Sequence, residues 1–171
     1  MDLRQFEIKI LPLKNKIYRL AHALLGNVTD AEDAVQDIYL KLWSVRDELE
    51  KADNITALSL QIARNHCIDR IRKQHGLYYN ELTDDNLSTD PSPYEQTEQR
   101  DMVGFVRKMI ERLPEQQRMV MLLRDVEGME MDEIATVTGL TENAIKVYLS
   151  RARQRIREAL LQNNHAGQKK N

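Results

Sequence analysis

Apolar residues recur along this chain at steps of three and four, the period of an α-helix, and no strand-like alternation survives anywhere. Leu13, Ile17, Leu20, Ala21 and Leu24 form one such stripe, and Gly26 is placed to close its helix. Thr29 with Glu32 three residues on has the capping-box spacing, which predicts a second helix starting there. That helix has an apolar stripe of Ala31, Ala34, Val35, Ile38, Tyr39, Leu42 and Trp43, and an opposite face of Asp30, Asp33, Gln36, Asp37 and Lys41. The polar segment SVRDELEKADN separates it from a third helix, roughly Thr56 to Gln74, with Leu60, Ala63, Cys67 and Ile71 on one stripe, widened by Leu58, Ile62 and Ile68. Three such helices can enclose one small core, so residues 1–75 read as a first domain.

Residues 76–101 break the pattern. NLSTDPSPYEQTEQ holds two prolines, hydroxyl residues, acids and little to bury, the composition of a flexible linker. The helical period returns with Met102, Phe105, Val106, Met109, Ile110 and Leu113. Pro114 breaks that helix and can open the next, EQQRMVMLLRDVE, which Gly128 ends. Asp132 is the expected cap of a short helix through Val137, Gly139 the turn, and Thr141 the cap of the last helix, whose inner face is Ile145, Leu149, Ala152, Ile156 and Leu160. Residues 102–163 thus make a second domain, with 164–171 expected as a disordered tail. The predicted fold is all-α: two small helical domains joined by an acidic flexible linker.

A short helix, a glycine turn and a second amphipathic helix describe a helix-turn-helix, in which small Ala135 lets the two helices approach. The second helix of such a motif fits the DNA major groove. Its outward face carries Asn143, Lys146, Val147, Ser150 and Arg151, with Arg153, Gln154 and Arg157 placed for phosphates. Net charge is only −2, so the distribution matters more than the total. Arg64, Arg70, Arg72 and Lys73 against Asp69 give a local +3, and Lys146, Arg151, Arg153, Arg155 and Arg157 against Glu142 and Glu158 give another. Between them, seven acids against Arg100 give the linker −6. Two basic helices flanking an acidic spacer point to nucleic acid contacted at two places.

Other classes fit less well. No apolar run approaches the ~20 residues that cross a bilayer, and the N-terminus lacks a signal-peptide pattern, so no direct membrane insertion is expected and the cytoplasm is the expected address. Cys67 is the only cysteine, which excludes an internal disulfide and a thiolate metal site, and its place on the apolar stripe argues against a metal or redox role with His66. There is no nucleophile–base pair, phosphate loop or zinc set, so neither a cofactor nor catalysis is expected. An all-α metal-dependent nucleotide hydrolase would need Glu32, Asp33 and Asp37, or Glu95, Glu98 and Asp101, as ligands; the second cluster has no core to hold it rigid. A stand-alone helix-turn-helix regulator would leave the first domain without a role.

Three stretches in order carry a family resemblance: GNVTDAEDAVQDIYLKLW, LSLQIARNHCIDRIRK and LPEQQRMVMLLRDVEGMEMDEIATVTGLTENAIKVYLSRARQRIR. Together they resemble the extracytoplasmic-function (ECF) sigma factors of the bacterial sigma family, over roughly residues 10–160. The resemblance implies an alternative sigma factor that binds RNA polymerase core, recognises −35 and −10 promoter elements and helps melt DNA. It implies docking on the β′ coiled coil through Asp33, Gln36, Asp37 and Leu40, and on the β flap through residues of the second domain. It implies −10 contacts from Arg64, Asn65, Arg70 and Lys73, with a flipped base captured by a loop within Val45 to Thr56. It further implies −35 contacts from Asn143, Lys146, Val147, Ser150, Arg151 and Arg153, and control by an anti-sigma factor. The chain departs from many members in two places. The loop RDELEKADNIT has no aromatic residue, and Ala57 stands where a tryptophan is common. Lys146 and Val147 stand where arginine and serine are frequent, so a different −35 preference is expected. Lysine keeps the charge without the bidentate fork, and valine suits a thymine methyl.

Overall fold

Asp2 starts the first helix of the computed structural model by accepting a hydrogen bond from the Gln5 backbone N–H at 2.8 Å, while the Gln5 side chain accepts from the Asp2 N–H at 3.1 Å. The structure describes residues 1–75 and 102–168; the predicted linker and the end of the chain lie outside the described residues. Among the described residues nine α-helices follow one another: α1 (Leu3–Lys9), α2 (Lys14–Leu25), α3 (Val28–Ser44), α4 (Arg46–Glu50), α5 (Ile55–His75), α6 (Met102–Glu111), α7 (Glu115–Met121), α8 (Met131–Thr138) and α9 (Glu142–Gln168). A 3-10 turn, Leu11–Leu13, joins α1 to α2, and a π-helical turn, Leu122–Val126, continues α7. Among the described residues there is no strand.

Several local expectations need correcting. The cap of α3 is Asn27, not Thr29: its side-chain oxygen accepts from the Asp30 N–H at 2.8 Å, and Thr29 already lies inside the first turn. α8 begins after Glu130, not Asp132, with the Glu133 carboxylate reaching back to the Glu130 N–H at 2.8 Å. Asp132 falls in the first turn, where its charge suits the positive end of the helix dipole. The polar segment after α3 contains α4, held because Leu49 is fully buried and the N-terminal amine bonds Asp47 and Glu50 at 3.0 and 2.7 Å. The last helix runs to Gln168, past the expected boundary at 163, since nothing from Ala159 to Ala166 breaks a helix. α1 escaped the sequence reading because a helix of two turns shows little periodicity. Its Phe6 stands edge-on to Trp43 at 5.1 Å and Tyr39 at 6.4 Å, so both aromatic residues pack as expected.

The two helical units share one apolar core, contiguous from Phe6 to Ala152. α2, α3 and α5 form the centre of the first unit, and α7, α8 and α9 that of the second. α8 lies across α5, and α7 touches α2. Leu60, Ala63, Cys67 and Ile71 of α5 are buried towards the first unit. Ile55, Leu58 and Ile62, spaced at three and four residues on another side of α5, are half-buried against the shared core.

Gly139 carries the turn between α8 and α9 at φ +73°, in the left-handed region, and its N–H bonds the Ala135 carbonyl at 2.8 Å. Thr141 caps α9 as expected, accepting from the Ala144 N–H at 3.2 Å. Ile145 is completely buried between the two helices. In urea unfolding, Ile145→Ala should lose about 2–5 kcal/mol, the range for truncating a buried aliphatic side chain. Gly139→Ala should lose only about 1–2 kcal/mol, because a methyl there meets no atom within 4 Å and the penalty is purely one of backbone conformation.

Candidate nucleic-acid interface

Three helical faces carry the residues singled out from the sequence. On α3, Asp33, Gln36, Asp37 and Leu40 are all exposed and fall at i, i+3, i+4 and i+7, so they make one face. The rest of α3 fixes that face outwards by burying Ala31, Ala34, Val35, Ile38 and Leu42. Leu40 is 71% exposed, a large apolar side chain beside two carboxylates.

On α5 the four predicted residues do not share a face. Asn65 and Lys73 are exposed, and Arg64 is half-buried on the opposite side of the helix from Lys73. Arg70 is turned towards α3, with its guanidinium 3.5 Å from Asp30 and 3.9 Å from Asp33. Asp69 and Arg72, which are exposed and lie four and seven residues after Asn65, share its side instead. The seven-residue step from Asn65 to Arg72 was readable in the sequence, and Arg72 belongs with the basic candidates.

On α9, Asn143, Lys146, Val147, Ser150 and Arg151 are all exposed and occupy one face, opposite buried Ile145, Leu149 and Ala152. Lys146 pairs with Glu142 one turn earlier at 3.3 Å, an exposed pair worth little. Arg153 sits on the shoulder of this face and holds Asp125 with two bonds, at 3.1 and 2.7 Å. Its guanidinium therefore ties α9 to the π-helical turn within the same unit. That turn is wider than an α-turn: the Glu127 N–H bonds the Leu122 carbonyl at 2.9 Å, five residues back.

Burial sets the titration of the groups near α5. It pushes the Cys67 thiol up to about 12, so the side chain is an unreactive thiol. Burial also raises the Tyr39 hydroxyl to about 12, consistent with its hydrogen bonds to the Ile10 and Leu11 carbonyls. His66 is held below its ordinary 6.5, first by burial and then by Arg70 and Lys41, against the opposing pull of Asp37 and Asp69. Among the described residues no group of His, Cys, Asp and Glu can hold a metal ion, and no helix is long and apolar enough to cross a membrane.

Two family models match the chain in order: sigma-70 region 2 over residues 10–76 and sigma-70 region 4 over residues 106–156. The ECF RNA polymerase sigma factor SigW of Bacillus subtilis is 25% identical over 157 residues, covering 86% of this chain and 84% of SigW. The ECF sigma factor SigE of Mycolicibacterium smegmatis is 24% identical, covering 85% of this chain and 58% of SigE. Among solved structures, the sigma factor RpoE of Bartonella quintana, crystallised with the anti-sigma factor NepR, superposes with a TM-score of 0.72 at 26% identity. That superposition covers 92% of this chain and 98% of RpoE. The chain belongs to the sigma-70 family. Within it the relatives place the chain among the ECF sigma factors, alternative sigma factors that bind RNA polymerase core and promoter DNA to start transcription.

The lowered His66 gives a pH test. The folded chain binds fewer protons at this site than the unfolded one, so the site's contribution to stability is complete above pH 6.5. It is lost progressively as the pH falls from 6.5 through the lowered value of the folded state. Urea unfolding at pH 7.5 and 5.5 should show a larger loss for the wild type than for His66→Gln.

Proposed function

We propose that the α3 face of Asp33, Gln36, Asp37 and Leu40 docks on the β′ coiled coil of RNA polymerase core, and that the outward face of α9 reads the −35 element. The observation that carries this reading is that two chemically different faces, one acidic with an exposed leucine and one basic, both point to solvent from a single chain. An exposed Leu40 amid carboxylates suits a partner helix pair that offers both apolar and basic groups. Asn143, Lys146, Val147, Ser150 and Arg151 project into the major groove, with Lys146 and Arg151 contributing charge and Val147 an apolar contact to a thymine methyl.

Residues 1–75 then form the unit for polymerase and the −10 element, 76–101 the connection, and 102–163 the −35 unit. In the first, Asn65 and Lys73 meet the −10 DNA directly, with Arg72 on the side of Asn65. Arg64 approaches from the flank, and Arg70 acts on DNA only after leaving Asp30 and Asp33. Arg153 contributes mainly by orienting α9 through Asp125. The second unit also meets the β flap. The protein works in the cytoplasm without catalytic activity of its own. The complex of RpoE with NepR supports control of this chain by an anti-sigma factor as well.

Transcription by bacterial core polymerase on pooled host genomic fragments tests the reading. Starts that appear only with the protein, preceded by shared motifs at −35 and −10, are the expected result. DNA binding without new starts would instead identify a stand-alone regulator. Asp37→Ala with Leu40→Ala should weaken core binding roughly tenfold or more while leaving helicity unchanged. Lys146→Ala and Arg151→Ala should each lower the salt slope of holoenzyme–promoter binding by about 1.

A further inference from the structure

Two rungs of side chains cross from α3 to α5. Asp33 and Asp37 lie one turn apart on α3, and His66 and Arg70 lie one turn apart on α5. Asp33 stands 3.9 Å from the Arg70 guanidinium, and Asp37 stands 3.9 Å from the His66 Nε2. Asp30 adds to the first rung at 3.5 Å from Arg70. The rungs differ in one respect. Arginine carries its charge at every pH a cell meets, whereas imidazole is a cation only when protonated.

The second rung is unfinished at neutral pH. The Nε2 atom of His66 is buried without a hydrogen-bond partner, on the side that faces Asp37. The charged groups that act on the ring are Asp37 and Lys41 from α3, and Arg70 and Asp69 from its own helix. Burial, helped by Arg70 and Lys41, outweighs the two carboxylates and keeps the ring neutral at pH 7. The imidazole then leaves the charge of Asp37 uncompensated, and that carboxylate is 57% exposed on the face proposed to dock on polymerase. In acid both ring nitrogens carry a proton, and the imidazolium can hold Asp37 as Arg70 holds Asp33.

We infer that core binding by this chain is linked to the protonation of His66: a neutral imidazole leaves Asp37 to the polymerase, and a charged one draws it back onto α5 and weakens core binding. His66 is thus a positioning residue that acts through Asp37. The linkage is reciprocal, because a basic group of the polymerase seated on Asp37 also repels a charged ring. An acidified cell interior would lower this chain's share of polymerase core. The inference rests on the docking role proposed for the α3 face; the pairing of Asp37 with His66 does not.

The test measures core affinity of the full chain from pH 7.5 to 5.5 at constant ionic strength, beside an NMR titration of the His66 ring in the free chain. Polymerase titrates as well, so the readout is the ratio of wild-type to variant affinity, which cancels its contribution. For His66→Gln that ratio should fall about threefold between pH 7.5 and 5.5. His66→Arg, a cation at every pH, should bind core weakly even at pH 7.5. In the free chain, Asp37→Asn should move the His66 titration further down, since the carboxylate no longer favours the charged ring. A ratio that stays flat while Asp37→Asn weakens core binding would overturn the proposal and leave the docking reading standing. Core affinity indifferent to Asp37→Asn at every pH would overturn that reading and the proposal together. An unmoved His66 titration in Asp37→Asn would overturn the pair itself. If the His66 variants fail to fold, wild type against Asp37→Asn decides: Asp37 is exposed, the same fall in ratio is expected, and a flat ratio overturns the proposal.

Discussion

α5 is apolar on two sides, and the rest of the architecture follows from burying both. One side, Leu60, Ala63, Cys67 and Ile71, closes the first unit against α2 and α3. The other, Ile55, Leu58 and Ile62, is half-buried against the core that both units share. Full burial of such a side chain gains about 1.5–3 kcal/mol, and these three, half-buried, contribute a part of that each. α8 packs across α5, and the same helix begins the helix-turn-helix. Burying α5 therefore places the two DNA-facing units against each other.

The π-helical turn at Leu122–Val126 decides where the second unit's carboxylates go. An ordinary α-turn would keep residues 125 and 127 on the ladder of α7. The wider turn sends Asp125 to Arg153 inside its own unit and Glu127 to Arg19 in the other. Thus one local irregularity both orients the recognition helix and joins the units. Its cost is a poorer set of backbone bonds, offset by two bidentate arginine pairs.

Charge is used twice in this molecule. Asp30 and Asp33 face Arg70, so the acidic face of α3 is electrostatically joined to α5, while Asp37 lies 3.9 Å from His66, an imidazole that burial keeps neutral above pH 6.5. A partner that engages Asp33 competes with its pair to Arg70. Exposed pairs at such distances are individually weak, which keeps both partners available for external ones. Lys146 is similarly available, whereas Arg153 is committed to the fold by its two bonds to Asp125.

Helical period alone determined that the chain is all-α, which residues line each helix, and that Asn143, Lys146, Val147, Ser150 and Arg151 share an outward face. These properties depend on neighbours three and four residues away, and a sequence displays such neighbours directly. Motif order also made the sigma-70 family legible. Caps were harder: Asn27 and Glu130 displaced Thr29 and Asp132 because several polar residues near each start fit the pattern, and only backbone geometry selects one. Tertiary structure alone decided that Arg70 turns to α3, that Arg153 serves Asp125, and that α8 packs across α5. Glu127 and Arg19 are separated by 108 residues. No local spacing relates such groups, because their pairing depends on how whole helices pack, and packing is settled by the burial of stripes that the sequence shows only one at a time.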